Sequence, residues 1–557
     1  MASHQTYPGT DIYGPGTFID KQVLPVPADT RRVFEYLASS TPGFTQDRTA
    51  WDTVSFTGGP DPIIPGPIKA PVVAAALHAM CGLVANELLE IRDGKPLRNS
   101  SVTVDTDHAG ISLGSTFATY VNGKDVPVLA KTGQLASLFD RDFEQGFGKG
   151  LAGRATAIYQ TRDPNVAYQL HGSLDASKML ESMGIPTDVK FDSMQEYYDY
   201  IQSYVRQWSA DELEMHNVRH GLCGSICYSP EAWCKTSMGQ RLSSHPLVES
   251  DRRPLVGIKV LEMVRIIAGP TIGVTLTSYG ADVIRVNCSK LADLNVLQLT
   301  LNAGKRTVDL DINKAEDMAR LRELLSDVDI FIQGFRYESL ERRGLGLRSM
   351  LELAAKRAKG IIYVDENCYG PDGPFAERPG WQQIGDAASG TEYVMGRSLG
   401  YKAGHAVLPP LPVSDMTTGI VGALAAMMAV RDRTLTGGSY HVVSSLVAAD
   451  TIALKEEIGL YPPEVVARVQ DRFGFVPWTS EQFVSEIMVQ VVDGWKRGLP
   501  AGYLGEDSHL MAPYQQGPWG QQKLLKPVAV LGDEAATPRW ASPAVPNCYH
   551  PRDIHWL

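Results

Sequence analysis

The sequence predicts an α/β protein, with a Rossmann-like open parallel sheet as its large domain and a smaller α+β domain beside it. Two observations lead to this fold class. After residue 254, short apolar segments alternate with helical segments, which is typical of parallel strands joined by helices on both faces of a sheet. A chain of 557 residues is also too long for one hydrophobic core, so we expect two or three domains.

The elements of the large domain follow from the same pattern. Strands are predicted where apolar and β-branched residues cluster, in GIKVLEM, ADVIRVN, DIFIQGF and GIIYVDE. Helices are predicted between them, in RIIAGPTIGVTLTSYG, DINKAEDMARLRELLSDV and SMLELAAKRA. Open α/β sheets bind ligands at the carboxyl ends of their strands. The candidate binding loops are therefore residues 264–270, 287–290, 334–338 and 367–374.

Composition along the chain divides it into four segments. Residues 1–66 are rich in Pro, Gly and Thr and are predicted as an extended N-terminal arm with one amphipathic helix at Thr30–Ala38. Residues 67–247 are predicted as a helix–strand segment followed by a small domain. Residues 254–450 form the predicted large domain, and residues 451–557 form a C-terminal helix with an extended tail.

A weak internal repeat links two of these segments. An Ala-rich helix from Ala70 to Ile91 is followed by a turn and the strand VTVDT, and the helix MTTGIVGALAAMMAVRDR is followed by a turn and the strand YHVVSS. The second copy opens with Ser414 and Asp415, whereas the first opens with Ile68 and Lys69. Only the second copy therefore offers a carboxylate at the start of its helix.

Composition and charge exclude several classes of function. A net charge of −11 argues against broad nucleic-acid binding. Seven cysteines are an odd number, and the spacing of Cys223, Cys227 and Cys234 fits no zinc pattern, so we expect reduced thiols and no metal site. No signal peptide and no membrane-length apolar run is visible. We expect a soluble cytoplasmic protein, with a peroxisomal or mitochondrial address left open.

Three common catalytic motifs are missing from the binding loops. No G-x-G-x-x-G follows the first strand, so the dinucleotide fingerprint is absent. The segment from Gly304 to Thr307 has the wrong spacing for a P-loop, and there is no G-x-S-x-G of a serine hydrolase.

The segments of the large domain resemble, in order, the large domain of the family III CoA-transferases (the CaiB/BaiF type), which include formyl-CoA transferase, the carnitine CoA-transferases and α-methylacyl-CoA racemase. The resemblance rests on GIKVLEMVRIIAGP, YGADVIRV, NAGKRTVDLDI, DIFIQGFRYESLERRGLG, IIYVDENCYGPDGPFAERPGW and SDMTTGIVGALAAMMAVRDRTLTGGSYHVV. Residues 155–247 resemble the family's small domain more loosely and precede the large domain, so the chain is similar to a rearranged, long fungal member. The resemblance implies acyl-CoA and a carboxylic acid as substrates, no tightly bound cofactor, and an interlocked homodimer.

The resemblance implies that Asp415 is the catalytic nucleophile. A carboxylate directly before a helix faces free backbone amides and the positive end of the helix dipole, which we expect to keep it ionised. It could then attack a thioester and form an aspartyl covalent intermediate. The alternative interpretation is that Asp415 is only a helix N-cap.

The resemblance also places CoA on two loops and one neighbouring segment. The residues implied to line it are Arg265, Ile266, Ala268, Phe335, Arg342 and Lys305. Arginine forms bidentate contacts with phosphate, which suits Arg342 and its neighbour Arg343. The alternatives are that the arginines lie on a solvated helix face and that Lys305 and Arg306 cover the edge of the sheet.

Three departures from the family pattern leave alternatives open. Ile267 stands where the transferases often have Gln, and Cys288 replaces a basic residue after the second strand. The family's Gly-Tyr-Asp or Gly-His-Asp motif reads Gly380-Trp381-Gln382, and Trp381 cannot exchange a proton at neutral pH. Besides CoA transfer, the sequence therefore allows an acyl-CoA racemase or isomerase, or a catalytically silent scaffold.

Overall fold

The computed structural model describes residues 4–135, 138, 150–173, 175–236, 238–239, 255–336, 338–533 and 536–556. Its strands are β1 (Thr6–Pro8), β2 (Phe18–Asp20), β3 (Val54–Thr57), β4 (Val102–Asp105), β5 (Tyr120–Val121), β6 (Lys124–Asp125), β7 (Ile158–Gln160), β8 (Ala167–His171), β9 (Cys223–Ile226), β10 (Lys259–Met263), β11 (Asp282–Asn287), β12 (Arg306–Asp309), β13 (Ile330–Gln333), β14 (Ile362–Asn367), β15 (Tyr440–Ser445), β16 (Gln515–Gly517), β17 (Gly520–Lys523) and β18 (Ala529–Leu531).

The helices of the first half are α1 (Val26–Ser40), α2 (Arg48–Asp52), α3 (Ala70–Asp93), α4 (Thr106–Ser112), α5 (Val126–Lys131), α6 (Gly150–Arg154), α7 (Ala176–Ser182), α8 (Met194–Val205), α9 (Ala210–His220) and α10 (Pro230–Lys235). Those of the second half are α11 (Ala268–Ser278), α12 (Gln298–Leu301), α13 (Ala315–Leu325), α14 (Leu347–Arg357), α15 (Gln382–Ser389), α16 (Thr391–Ser398), α17 (Val413–Thr436), α18 (Leu446–Ala453), α19 (Pro463–Phe473) and α20 (Val484–Gly498).

A six-stranded parallel sheet forms the centre of the molecule and confirms the predicted Rossmann-like fold. Its strands lie in the order β12–β11–β10–β13–β14–β15, and every neighbouring pair is parallel. The strands β10 and β13 are neighbours although β11 and β12 separate them in the chain. The winding direction therefore reverses between β10 and β13, which leaves a crevice at their carboxyl ends.

Helices cover both faces of this sheet. Alternate strand residues face opposite sides, so Val260 joins the core under α3, α11 and α17, while Leu261 joins the core under α13 and α14. Burial on both faces explains why these strands are nearly continuous runs of Val, Ile and Leu in the sequence.

Helix α17 lies between α3 and α11, and a glycine sets its distance from α11. A Cβ at Gly419 would lie 2.3 Å from the Cβ of Thr271 and 2.9 Å from the carbonyl oxygen of Ala268. The first turn of α11 and the second turn of α17 can approach this closely only because Gly419 has no side chain. This contact brings the N-terminal turn of α17 to the loop that follows β10.

Helices α3 and α17 are both long and apolar enough to cross a membrane by length and composition alone. However, 89% of the most apolar window of each helix is buried inside the protein. Both are core helices of the main domain, and they pack against each other.

A smaller α+β unit lies beside the large sheet. The strands β7, β8 and β9 form an antiparallel sheet, and the helices from α6 to α9 pack on it around a separate core. Helix α9 begins with the predicted capping box, in which the Ser209 side chain accepts from Glu212 N and Glu212 reaches back to the backbone of Ser209. The guanidinium of Arg378 joins this unit to the large domain through Glu214 and the carbonyl oxygen of Gly224.

Residues 1–66, which we expected to be an extended arm with one helix, contain more regular structure. The helix predicted at Thr30–Ala38 is the middle of α1, and α2 and β3 follow it. The buried rings of Phe34 and Trp51 lie 5.9 Å apart in edge-on contact. These side chains place the segment in the main core.

The internal repeat extends further than the sequence indicated. Both long helices span 24 residues, and each is followed by a strand and a short helix with a side-chain N-cap, Asp105 in the first copy and Ser445 in the second. The two copies differ at the start of the long helix. Lys69, which precedes α3, is fully buried and ion-paired with Asp20 and Asp29. In the first copy, the long helix therefore begins after a buried lysine whose charge is paired with two aspartates.

Candidate active site

The crevice between β10 and β13 is bordered by two loops with unusual backbone conformations. Ile266, after β10, has φ = 68°, and Glu338, after β13, has φ = 55°. A β-branched residue such as Ile266 rarely adopts the left-handed region, because its side chain clashes with the backbone there. Such strained residues concentrate at functional sites. Both loops are among those predicted to bind ligand.

The predicted residues of the first loop lie at the mouth and at the floor of this crevice. Arg265 is exposed, and its Nη1 donates a hydrogen bond to the carbonyl oxygen of Ala292 at 2.9 Å. Ile266 is largely buried, and Ala268 is buried in a small core beneath α15 and α18. The structure therefore places the predicted residues Arg265, Ile266 and Ala268 on one loop and helix start, and of the three only Arg265 is exposed to solvent.

A second arginine stands close to Arg265. Although the Arg265 side chain reaches solvent, the loops around it partly desolvate its guanidinium and so lower its pKa; Asp293 opposes this effect, and Arg285 and Arg336 add to it. Arg336 is exposed and follows Phe335, which packs on the sheet's second core. Its guanidinium lies 3.5 Å from the position that a Cβ of Gly221 would take, so it also borders the small domain. Arg336 was missed in the sequence, although it lies in the loop that Phe335 marks.

Arg342 lies further out on the same connection. Its side chain is 69% exposed, and its Nη1 is 3.9 Å from a carboxylate oxygen of Glu338. The neighbouring Arg343 is held by the carbonyl oxygen of Ser339, to which its Nη1 donates at 2.9 Å. The predicted Arg342 therefore remains accessible to a ligand, whereas Arg343 has a structural partner.

Lys305 is buried beneath α11. Its Nζ donates to Glu262 Oε1 at 2.6 Å and to the carbonyl oxygen of Pro270 at 2.8 Å. Burial lowers the pKa of this lysine to about 8, with Arg285 also lowering it and Glu262 opposing both. Because the ammonium is fully buried and ion-paired, Lys305 connects the start of β12 to β10 and to the first turn of α11.

The structure places Asp415 inside helix α17, whereas the sequence predicted a position directly before the helix. Helix α17 begins at Val413 after Pro412, so Asp415 is its third residue, and no side chain caps the helix. The Asp415 side chain is buried, and among the described residues no donor to its carboxylate is recorded. Its neighbour Met416 lies against α11, where its Sδ is 3.5 Å from the hydroxyl of Thr271. The turn of α17 that carries Asp415 is thus packed against α11, the helix that follows the strained loop.

The expectation that the helix terminus keeps Asp415 ionised is opposed by its surroundings. Burial raises the pKa of Asp415 well above its usual range, and the nearby carboxyls of Glu366 and Asp386 raise it further. Glu366 lies at the carboxyl end of β14, and Asp386 lies on α15. A charge on Asp415 is therefore costly until a ligand or a proton shift compensates it.

Asp386 belongs to a hydrogen-bonded group behind Asp415. Its Oδ1 accepts from the Ser414 hydroxyl at 2.7 Å, and its Oδ2 accepts from Gln382 Nε2 at 3.0 Å. Asp450 of α18 is fully buried next to it, and its Oδ2 accepts from the Ser389 hydroxyl at 3.3 Å. Burial raises the pKa of Asp386 to about 7 and that of Asp450 well above its ordinary value. Neither carboxyl was identified from the sequence, because isolated helical aspartates have no motif.

Trp381 closes the site on the side of the small domain. Its ring stacks on His171 with centroids 5.7 Å apart, and its Nε1 donates to the Ser173 hydroxyl at 3.3 Å. His171 also contacts Gln383, and burial lowers the pKa of His171 to about 3. The imidazole is therefore neutral at physiological pH and serves as a packing partner for Trp381. In the part of the chain that the structure describes, no group of His, Cys, Asp and Glu residues is placed to hold a metal ion.

Known proteins match both the sheet domain and the whole chain. Residues 255–473 match the family model of CoA-transferase family III. An acyl-CoA transferase of Gibberella moniliformis is 42% identical over 567 residues, which cover 98% of this chain and 98% of that protein. The acetyl-coenzyme A transferase nodX of Hypoxylon pulicicidum is 33% identical over 71% of this chain and 70% of its own length. The human succinyl-CoA:glutarate CoA-transferase is 26% identical over 36% of this chain and 47% of its own.

These matches agree with the resemblance noted in the sequence. The family model covers the sheet that bears both strained loops and Asp415, and the fungal relative extends the match over the N-terminal segment and the tail. The chain belongs to CoA-transferase family III and is a CoA-transferase.

Proposed function

We propose that the protein transfers CoA from an acyl-CoA to a free carboxylic acid, with Asp415 as the covalent nucleophile. The supporting observation is the position of this carboxyl. It lies in the first turn of α17, and Gly419 in the second turn allows this helix to pack closely on the first turn of α11, which follows the strained loop. A thioester bound at the switch-point crevice would present its carbonyl carbon to this turn.

The exchange proceeds through two kinds of covalent intermediate. The Asp415 carboxylate attacks the thioester carbonyl, the C–S bond breaks, and the electron pair leaves with the CoA thiolate. The thiolate then attacks the Asp415 carbonyl of the mixed anhydride, which releases the first acid as its carboxylate and leaves CoA on the aspartate as a thioester. The acceptor carboxylate repeats the steps in reverse order. Two anhydride-forming steps replace one direct exchange between weak nucleophiles.

We expect substitution of Asp415 to abolish transfer. Asp415→Asn and Asp415→Ala should each lower kcat by about 10³-fold or more, because neither side chain can form the anhydride. The measurement is CoA exchange between an acyl-CoA and an isotopically labelled carboxylic acid, followed by mass spectrometry. Hydroxylamine added during turnover should convert Asp415 of the wild type to a hydroxamate.

Asp432→Asn, at the other end of the same helix, is the matched control and should keep both activity and the hydroxamate at Asp415. Transfer that persists in Asp415→Asn, without any adduct in the wild type, would reject the covalent route. If the protein were instead an acyl-CoA racemase, the α-proton of the acyl-CoA would exchange for deuterium in heavy water without transfer of CoA.

We infer that the phosphates of CoA meet the arginines at the mouth of the crevice. Arg265 and Arg336 are exposed, and each raises the local positive potential at the other. Arg265→Ala and Arg336→Ala should each weaken CoA binding by about 1–3 kcal/mol, as expected for a charge-assisted phosphate contact. We expect a smaller loss for Arg342→Ala, since Arg342 lies further out, and none for the exposed control Arg348→Ala. Titration calorimetry with CoA measures all four, and unchanged affinity in the first two variants would move the phosphates elsewhere.

A further inference from the structure

Helix α17 carries Asp415 in its first turn, and this turn begins without a side-chain cap. Its N-cap position is Pro412, and no side chain accepts a hydrogen bond from the first turn there. The first amides of a helix have no intrahelical partner, so an uncapped first turn frays easily. Contacts from neighbouring elements must therefore fix the direction in which Asp415 points.

Helix α15 holds this turn at two points, one on either side of Pro412. The Ser414 hydroxyl donates to Asp386 Oδ1 at 2.7 Å. Before the proline, Gln382 Nε2 donates to the carbonyl oxygen of Leu411 at 3.4 Å and also to Asp386 Oδ2 at 3.0 Å. Ser414, Asp386 and Gln382 are each at most 5% exposed. Bulk water therefore does not compete for these hydrogen bonds.

Helix α15 is itself fixed on its other side by α18. A Cβ at Gly385 would lie 3.0 Å from the Cβ of Leu446, so the two helices pack closely where Gly385 has no side chain. The hydroxyl of Ser389 on α15 donates to Asp450 Oδ2 on α18 at 3.3 Å. Asp386 therefore presents its carboxyl to α17 from a firmly packed helix.

We propose that Asp386 is a positioning residue for the nucleophile and that it acts through Ser414. Successive residues of an α-helix point about 100° apart around its axis. The hydrogen bond that turns Ser414 toward α15 therefore also fixes the direction of Asp415, the next residue. This inference rests on the proposed nucleophilic role of Asp415 and deepens it, because it assigns the orientation of the nucleophile to one hydrogen bond between two helices.

Ser414→Ala in the full-length protein tests this role most directly, because it removes the hydroxyl and leaves Asp386 in place. Since a misplaced reacting group loses rate rather than affinity, we expect kcat for CoA transfer at pH 8 to fall by about tenfold or more, with KM for the acyl-CoA within about twofold of wild type. Ser278→Ala, at the end of α11, is the matched control. Ser278 is also buried, and its hydroxyl also donates at 2.7 Å, to the carbonyl oxygen of Thr275, so this variant should keep the wild-type kcat.

Two substitutions of Asp386 separate its hydrogen bond from its charge. Asp386→Asn keeps an acceptor oxygen for Ser414, whereas Asp386→Ala keeps none. Both remove a carboxylate that, after burial and Glu366, raises the pKa of Asp415, so both make Asp415 easier to ionise. We expect Asp386→Asn to stay within about threefold of the wild-type kcat and Asp386→Ala to lose about tenfold, as Ser414→Ala does. A role of the charge alone would make the two variants alike.

The double variant Ser414→Ala/Asp386→Ala should lose no more than either single variant, because both changes delete the same hydrogen bond. Losses that multiply in the double variant would overturn the proposal. Equal losses in Asp386→Asn and Asp386→Ala would also overturn it.

The outcomes also separate this proposal from the nucleophilic role of Asp415. A hydroxamate at Asp415 in the wild type, together with a wild-type kcat in Ser414→Ala, would overturn the role of Asp386 alone. No hydroxamate in the wild type would overturn both roles. If Asp386→Ala does not fold, as judged by circular dichroism, the kcat of Ser414→Ala still decides the question.

Discussion

Asp415 combines two demands that oppose each other. A nucleophile must be ionised, yet this carboxyl is buried among Glu366 and Asp386, which raise its pKa well above the ordinary value. The folded protein therefore binds a proton at Asp415 that the unfolded chain has already released. Active sites often retain such unfavourable groups because activity requires them. Replacing such a group stabilises the protein but abolishes activity.

This conflict predicts how stability depends on pH. A carboxyl whose pKa is raised on folding contributes stability that is complete below its unfolded pKa and is lost as the pH rises toward its folded pKa. Asp415→Asn should therefore be more stable than wild type at pH 7. The difference in unfolding free energy should widen with pH by at most about 1.4 kcal/mol per pH unit above about pH 4.

Thermal and urea unfolding of wild type and Asp415→Asn between pH 5 and 8 would measure this difference. Glu352→Gln, at an exposed position, should show no such trend. A constant gap between Asp415→Asn and wild type across that range would mean that the carboxyl is hydrated in the folded protein.

At the scale of elements, local patterns in the sequence predicted most of the large domain. The segment GIKVLEM contains β10, SMLELAAKRA lies in α14 except for its last residue, Ala358, which is the C-cap, and the capping box marks the start of α9. Each of these signals extends over a few neighbouring residues, and the local backbone follows it. The candidate binding loops follow from strand order, because the carboxyl ends of parallel strands lie on one edge of the sheet.

What the sequence did not predict depends on partners distant in the chain. Lys305 was predicted to line the CoA site or to cover the sheet edge beside Arg306, but it is buried and paired with Glu262, 43 residues away. Glu366 was predicted only as the end of a strand, because its interaction with Asp415 joins two elements that are distant in the chain. The N-terminal segment looked extended because its Pro and Gly content hides side chains such as Trp51 that complete the core.

At the scale of the whole molecule, the C-terminal tail completes the large sheet. Strand β12 is an edge strand, and the tail lies along it with a bridge between Val308 and His550. Hydrogen bonds join Thr307 of β12 to the tail. His550 N donates to the carbonyl oxygen of Thr307 at 2.9 Å, and the Thr307 hydroxyl donates to the carbonyl oxygen of Pro546 at 2.5 Å. Covering an exposed edge in this way prevents pairing with another chain. The homodimer expected from the sequence stays a prediction.

The tail also reaches the proposed CoA loops. Asn547 Nδ2 donates to Asp293 Oδ2 at 2.9 Å, and the same carboxylate oxygen lies 3.3 Å from the guanidinium of Arg285. Asp293 in turn interacts with Arg265, whose hydrogen bond to Ala292 holds the loop after β10. The tail, the edge strand and the mouth of the crevice therefore form one connected set of contacts.

Removal of residues 545–557 should accordingly destabilise the sheet. The deletion eliminates the hydrogen bonds from Asn302, Thr307 and Trp556 that join the tail to the large domain. At about 1 kcal/mol each, together with the exposed edge, we expect a loss of roughly 3–5 kcal/mol and concentration-dependent aggregation. Thermal unfolding with light scattering measures both effects. His550→Ala removes the side-chain contact to Thr307 but keeps the tail, so it should lose much less. A deletion variant that stayed monodisperse with an unchanged Tm would show that the edge of β12 needs no cover.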